Sequence, residues 1–324
     1  MGKIEFTIVI PTYNESRDLG DCLKSIANQD YPKDKFEVII VDNYSKDNTL
    51  DIAKSFSEKI NLRTYLNPIK DAEVSKMLGF RKSKGTYFMY LDADMRFSDS
   101  KFISKMLFPF SKNKEVSGVF VKFLVNQNHS ALTRTLSYDE WQRDPIFKFF
   151  TTSVSEIIKE KRENYYLCIC DKYTVPPQGL MIYRKSLIKD YAKNQKQLID
   201  NEIPALLVSK GHNNFAFVPE TGVYHLILRN LKELSHKRIR NLQRTYYPNK
   251  DKRLFTWINW KKDWPKIGIW LLYTNSIFLP VLSAIIKSLK HKDFCFLNEP
   301  ILNMVSTYSI IYGVLSNFNN GKRK

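Results

Sequence analysis

Between Phe6 and Leu91 the chain alternates short apolar runs with helix-spaced apolar positions, and this alternation restricts the fold more than any other feature. Phe6 to Ile10 reads as a buried strand closed by Pro11, and Leu19, Cys22, Leu23 and Ile26 recur at helical spacing up to Tyr31 and Pro32. Glu37 to Val41 gives a second strand, Ile52, Ala53 and Phe56 a second helix, Leu62 to Leu66 a third strand and Tyr87 to Leu91 a fourth. Strand, helix, strand in this order predicts a mostly parallel sheet covered by helices on both faces. Ligands of such sheets bind beyond the carboxyl ends of the strands. Pro11 to Asn14, Asp42-Asn43 and Asp92-Ala93-Asp94 all fall at such ends, so they are expected to line one crevice.

Asp92 and Asp94 project to the same side of an extended segment. Two carboxylates so placed repel each other, and oxygen donors of this kind suit Mg²⁺ or Mn²⁺ shared with substrate phosphates. A phosphotransferase with a nucleophilic aspartate also carries Asp-x-Asp after a strand, but there a Thr or Val normally follows the pair, and here Met95 and Arg96 do. Neither G-x-G-x-x-G nor G-x-x-x-x-G-K-[ST] occurs, which argues against dinucleotide oxidoreductases and P-loop enzymes. Cys168 and Cys170 lack a second Cys/His pair at zinc spacing and read as packing residues. Four scattered cysteines do not make a disulfide scaffold.

Ile203, Leu206 and Leu207 form one face of a helix stopped by Gly211, which puts Asp200 and Glu202 at its N-terminus. They serve there either as a cap and acidic first turn or as a general base presented to the crevice. A strand from Asn214 to Val218, a turn at Pro219-Glu220 and a second strand ending in His225 follow.

Charge is the unusual part of the composition: 51 basic residues against 33 acidic ones give +18. Half of the excess lies in residues 229–266, where twelve Lys/Arg face Glu233, Asp251 and Asp263, with Tyr and Trp interspersed. An uncharged run, Ile267 to Ile286, follows, and another extends from Pro300 to Phe318. A basic, aromatic stretch leading into an apolar run is what a membrane interface selects. Nucleic-acid binding and a pair of buried core helices are the competing readings. Lys287, Lys290 and Lys292 disfavour a two-helix hairpin across the bilayer, so re-entrant or surface-lying helices fit better. The start, Met1 to Glu5, carries no signal-peptide pattern, which places the expected catalytic body at the cytoplasmic face of the cell membrane.

Taken in order, Ile10 to Glu15, Val38 to Asn43 with Ser45, Asp47 and Thr49, Leu91 to Asp94, Gln178 to Arg184, Asp200 with Glu202, and Val218 to Glu220 followed by His225 resemble the family 2 inverting glycosyltransferases of GT-A fold. The resemblance covers roughly residues 5–245 and implies an α/β GT-A domain over 1–228; the charge and apolar runs add a basic interfacial segment over 229–266 and an apolar helical region over 267–324. It implies that Pro11, Tyr13, Glu15 and Asp42 line the nucleoside pocket of a UDP- or GDP-sugar, with Asp92 near the ribose and phosphates. By the same resemblance Asp94 is the main Mg²⁺ or Mn²⁺ ligand, His225 a supplementary one, Asp200 the catalytic base and Glu202 a holder of acceptor or donor hydroxyls. Arg238, Arg240 and Arg244 are candidates for phosphate contacts or for anionic lipid.

The implied reaction moves a sugar to a lipid-linked saccharide in surface-glycan or glycoprotein assembly; the alternatives are a polyprenyl-phosphate sugar synthase and a non-catalytic nucleic-acid-binding protein. A nucleic-acid partner is not expected. The chain departs from the family pattern at Ile199, where an acidic residue is usual, at Asn43-Tyr44, where Asp-Gly is common, and at Glu73 to Lys76. No Gln-x-x-Arg-Trp follows, so a processive synthase is not expected.

Overall fold

The computed structural model describes residues 3–171, 180–200, 202–249, 253–254, 256, 258–259 and 262–321. Two compact units emerge, residues 1–124 with 154–225, and residues 125–153 with 226–324. The segment 125–153, which the sequence does not set apart, thus groups with the C-terminal helices.

The first unit is built on one sheet. Its strands are β1 (Phe6–Thr12), β2 (Phe36–Asp42), β3 (Leu62–Leu66), β4 (Tyr87–Tyr90), β5 (Met95–Phe97), β6 (Gly118–Phe123), β7 (Ile158–Lys161), β8 (Tyr166–Ile169), β9 (Met181–Arg184) and β10 (Asn214–His225). They lie in the order β3-β2-β1-β4-β9-β6-β10-β8-β7, with β5 paired to β10. The strands read from the alternation, β3-β2-β1-β4, are parallel, as is β6 with β10. Beyond β4 the sheet is mixed, because β9 runs antiparallel to both β4 and β6, and β8 antiparallel to β10 and β7. Every residue of β1 and of β2 is buried, as expected for strands covered on both faces.

The helix Leu19–Ala27 seals one face with Leu19, Cys22, Leu23 and Ile26. The helix Ala72–Lys82 covers the other, capped by Asp71, whose carboxylate accepts from the Val74 amide at 2.9 Å. Its contact with β1 has no room for a side chain at Gly79, where a Cβ would lie 2.3 Å from Val9 Cγ1. That approach sets the depth at which the helix presents Glu73 and Lys76.

The two strands expected on either side of Pro219 are one strand, β10. Its ladder with β6 jumps from Phe217 to Gly222, so an irregularity absorbs the proline that cannot donate to the ladder. All four cysteines are free and buried. Burial pushes the thiols up, to about 12 at Cys168 and about 11 at Cys295.

In the second unit, Leu136, Leu228, Leu234 and Leu302 form one apolar cluster, and Ile146, Trp270 and Ile310 another. Arg134 grips Asp293 through two bonds of 3.0 Å. The uncharged run Ile267 to Ile286 is not one helix. It splits into Trp264–Asn275 and Phe278–His291, bent by 77°. Ile277 takes a left-handed φ of 55°, and Pro280 in the first turn of the second helix prevents continuation from the first. Among the described residues no single helix is long and apolar enough to cross a membrane.

Gly79→Ala is expected to lower stability by about 1–3 kcal/mol through overpacking against Val9. Urea unfolding followed by circular dichroism would measure it, and an unchanged midpoint would show that the helix can ride away from the sheet.

Candidate active site

The carboxyl ends of β1 and β2 carry a pair of loops fastened to each other. The Asn14 amide donates to Ser45 Oγ at 2.8 Å, the Lys46 amide to Asn14 Oδ1 at 2.8 Å and the Glu15 amide to Thr49 Oγ1 at 2.8 Å. Asp47 accepts from the Ser16 amide and from Thr49, and these bonds outweigh desolvation to hold its carboxyl at about 2. Ser45, Asp47 and Thr49 therefore act as fasteners of the loop.

Asp42 is fully buried, and its oxygens accept from Thr12 Oγ1, Ser45 Oγ and the Ser45 amide at 2.8, 2.6 and 2.8 Å. Asn43 and Asn67 are tied together at 3.0 Å and share Ser75. The departure at Tyr44 also has a geometric meaning. Its φ is 61°, a conformation that glycine adopts freely and other residues at a cost of roughly 1–2 kcal/mol. Tyr13 is exposed at this rim, with Lys70 Nζ 5.5 Å from its ring centroid. Pro11 is buried as a residue of β1, and Glu15 is half-buried in the fastened loop.

Past β4 the chain turns through Asp92-Ala93-Asp94 into β5, a three-residue strand with no sequence signal. β5 pairs antiparallel with the end of β10 in a register that sets His225 opposite Met95. This brings His225, buried and tilted against Phe123, to the Asp-x-Asp turn, with Nε2 3.4 Å from Asp94 Oδ1. Ligand atoms of Asp92, Asp94 and His225 lie within 4.8 Å of one another. Two carboxylates and one imidazole are donors that suit Mg²⁺ or Mn²⁺, and the cluster fits such an ion.

Asp200 precedes the helix Glu202–Ser209, and Glu202 opens it as a buried residue. Asp200 Oδ1 accepts from Lys76 Nζ at 2.6 Å. That ammonium is itself buried, 3.3 Å from Glu73 Oε1 and 4.5 Å from the Tyr90 ring centroid. Burial works against the Lys76 charge, but Asp200 and Glu73 outweigh it and raise its pKa. Burial raises Asp200; Lys76 opposes that and the Asp92 charge adds to it. Burial and repulsion by Asp200 push Glu73 up to about 8. Lys76 and Tyr90 are partners that the motif reading missed. The signal available was a lysine within the apolar stretch of a helix, three residues after a glutamate.

Arg238 and Arg240 lie in the second unit. Arg238 is committed to Asp144, which its Nε and Nη2 reach at 2.5 Å each and which Ser306 also bonds at 2.9 Å. Arg240 lines a basic groove with Arg229, Lys232, His236 and Lys237. Gln178 and Gly179 fall outside the described residues, and Met181–Arg184 forms β9.

A sheet whose parallel strands end on fastened polar loops, with an Asp-Asp-His cluster that could hold a divalent ion just past β4, is an α/β fold with a candidate ligand crevice at its strand ends. Residues 7–192, more than half of the chain, match the model of Glycosyl transferase family 2, and the chain belongs to that family. It is 31% identical over 93 residues to the poly(ribitol-phosphate) beta-N-acetylglucosaminyltransferase TarS of Staphylococcus aureus, covering 28% of this chain and 16% of that one. It is 36% identical over 90 residues to the glycosyltransferase AglE of Haloferax volcanii, covering 27% of this chain and 30% of that one. The matched stretch thus spans less than a third of either relative. The mannosyltransferase PcManGT of Pyrobaculum calidifontis, solved with GDP-Man and Mn²⁺, has the same fold, with a TM-score of 0.57 at 13% identity over 96% of this chain and 88% of that one. The first unit thus has the GT-A fold of that family.

Mn²⁺ is expected to bind the wild type in calorimetric titration, and Asp94→Asn to weaken it at least about tenfold, no less than the loss of an outer-shell partner costs. Equal binding by both proteins would remove Asp94 from the ligand set.

Proposed function

We propose that the protein is an inverting, metal-dependent glycosyltransferase that moves a sugar from a UDP- or GDP-linked donor to a lipid-linked saccharide in glycan assembly at the cytoplasmic face of the membrane. The observation that carries this reading is the pairing of an Asp92–Asp94–His225 cluster with a second carboxylate, Asp200, oriented by Lys76. PcManGT, solved with GDP-Man and Mn²⁺, supports the donor class, and a Methanococcus voltae glucuronosyltransferase named for a dolichyl N-acetylglucosaminyl phosphate, 34% identical over 90 residues (27% of this chain and 28% of that one), supports the acceptor class.

Asp200 takes the proton of an acceptor hydroxyl. The freed oxygen attacks the anomeric carbon from the face opposite the nucleotide, and the bond to the diphosphate breaks with inversion. Asp92, Asp94 and His225 would hold a divalent cation, which would supply positive charge to the departing diphosphate. Lys76 fixes the direction of the Asp200 carboxylate and favours its ionised form. Glu202 holds acceptor or donor hydroxyls, while Pro11, Tyr13 and Glu15 border the nucleoside.

A lipid phosphate as acceptor is the second reading, favoured by the ion pair that already engages Asp200 Oδ1. Such an acceptor needs little deprotonation.

The test is nucleotide release from a panel of UDP- and GDP-sugars with Mn²⁺ and a polyprenol-lipid extract. Asp200→Asn is expected to slow transfer to a hydroxyl by about 10²–10⁴-fold with nucleotide binding unchanged. Near-full activity of that variant would transfer the assignment to a phosphate acceptor, and no release by folded wild type with any donor would overturn both readings.

A pH profile gives a second check. Lys76 favours the charged form of Asp200, so Lys76→Met raises the carboxyl further and moves the acid limb of kcat/KM to higher pH. An unmoved limb would mean that Asp200 is not the titrating base.

A further inference from the structure

The helices of the second unit are patterned inside out. In Phe278–His291 the buried positions are Pro280, Ala284 and Ser288, a stripe of small residues at spacing four. The positions facing away from the protein are Leu279, Leu282, Ile285, Ile286 and Leu289, the last 69% exposed. Glu299–Gly321 repeats the arrangement in part: Asn303, Ser306 and Thr307 are buried beside Leu302 and Ile310, while Met304, Tyr308, Tyr312 and Leu315 are exposed at helical spacing. Several inner polar groups bond to neighbouring elements: Trp270 Nε1 donates to Thr307 Oγ1 at 2.8 Å, Ser306 Oγ to Asp144 at 2.9 Å, and Ser309 and Ser235 hydroxyls lie 2.8 Å apart. Leu272 and Phe294, 76% and 75% exposed, extend the apolar exterior to the neighbouring elements.

In water this pattern is unfavourable, since contiguous apolar patches on soluble monomers rarely exceed a few hundred Å². In lipid it is the expected one, with small and polar side chains between helices and large apolar ones outward. The lengths say how deep. Trp264–Asn275 and Phe278–His291 are about 18 and 21 Å long at 1.5 Å per residue, short of the roughly 30 Å hydrocarbon core. Lys262 precedes the bent pair, Lys266 lies in its first turn, and Lys290 and Lys292 follow its apolar run, beyond Lys287, which pairs with Glu299. The net charge of +18 opposes a second copy on this face and favours anionic headgroups.

We propose that the bent pair Trp264–Asn275/Phe278–His291, with the outer stripe of Glu299–Gly321, seats in one leaflet of an anionic bilayer without crossing it. The apolar stripe enters the acyl boundary, and the flanking lysines meet phosphate headgroups. This inference stands on the second unit alone and is tested without any transfer reaction, so either it or the catalytic reading can fail by itself.

The full chain is mixed with vesicles of phosphatidylcholine alone or phosphatidylcholine with phosphatidylglycerol, and binding is read by flotation. Wild type is expected to float with the mixed vesicles and to resist release by high salt. Leu282→Gln, Ile286→Gln and Leu289→Gln, all at exposed positions, are each expected to weaken binding about tenfold. Lys290→Gln with Lys292→Gln is expected to narrow the preference for anionic vesicles by about fivefold per lysine. Circular dichroism and thermal unfolding of each variant establish that it is folded. Absence of vesicle binding, or glutamine variants that bind like wild type, would overturn the proposal. So would sedimentation equilibrium showing a dimer that those same glutamines dissociate, which would assign the face to a second copy.

Discussion

The buried ammonium of Lys76 ties the candidate active site to the core beneath it. A charge out of water costs several kcal/mol unless it is matched at close range. Here the matching groups come from different places: Glu73 one turn back on the same helix, Asp200 from the segment before Glu202–Ser209, and the Tyr90 ring from the end of β4. The Leu198 amide also donates to the Glu73 carbonyl at 3.0 Å, fastening the two segments through the backbone. The depth of Lys76 depends in turn on Gly79, which lets the helix lie against Val9 of β1. Core packing thus sets the position of a carboxylate more than a hundred residues downstream.

The Asp92–Asp94–His225 cluster is assembled on a different principle. Asp92 and Asp94 follow from the end of a parallel strand, where α/β sheets place ligands. His225 arrives because β5 reverses the chain and pairs with β10 in one register. Slipping that register by one residue would turn His225 to the opposite face.

These origins explain what could be read in advance. β1, β2 and β4 were legible because strands buried in the sheet are continuous apolar runs, whereas β3, at the sheet edge and partly exposed, showed through its position after the second helix. Asp92, Asp94 and His225 were legible as residues, but β5, only three residues long, gave no pattern of its own. Pro219 read as a break because proline cannot donate to a ladder, and the sheet accommodated it by a register irregularity. Lys76 was hidden because periodicity registers apolar positions and says nothing of a buried charge whose partners are distant. In the C-terminal region the uncharged runs were visible, while the bend at Ile277 and the outward turn of the leucines depend on packing between helices.

The four cysteines have a practical consequence. Cys22 lies under the Asp-x-Asp turn, with Sγ 3.9 Å from the Asp92 carbonyl, Cys168 and Cys170 lie at the far side of the same sheet, and Cys295 lies in the second unit beside Thr135. Each is shielded, and desolvation keeps each sulfur protonated. A thiol reagent can reach one only when its surroundings open, so the chain carries built-in clocks at three separate places. Labelling rates followed sulfur by sulfur would rank how often each region breathes, without an added probe.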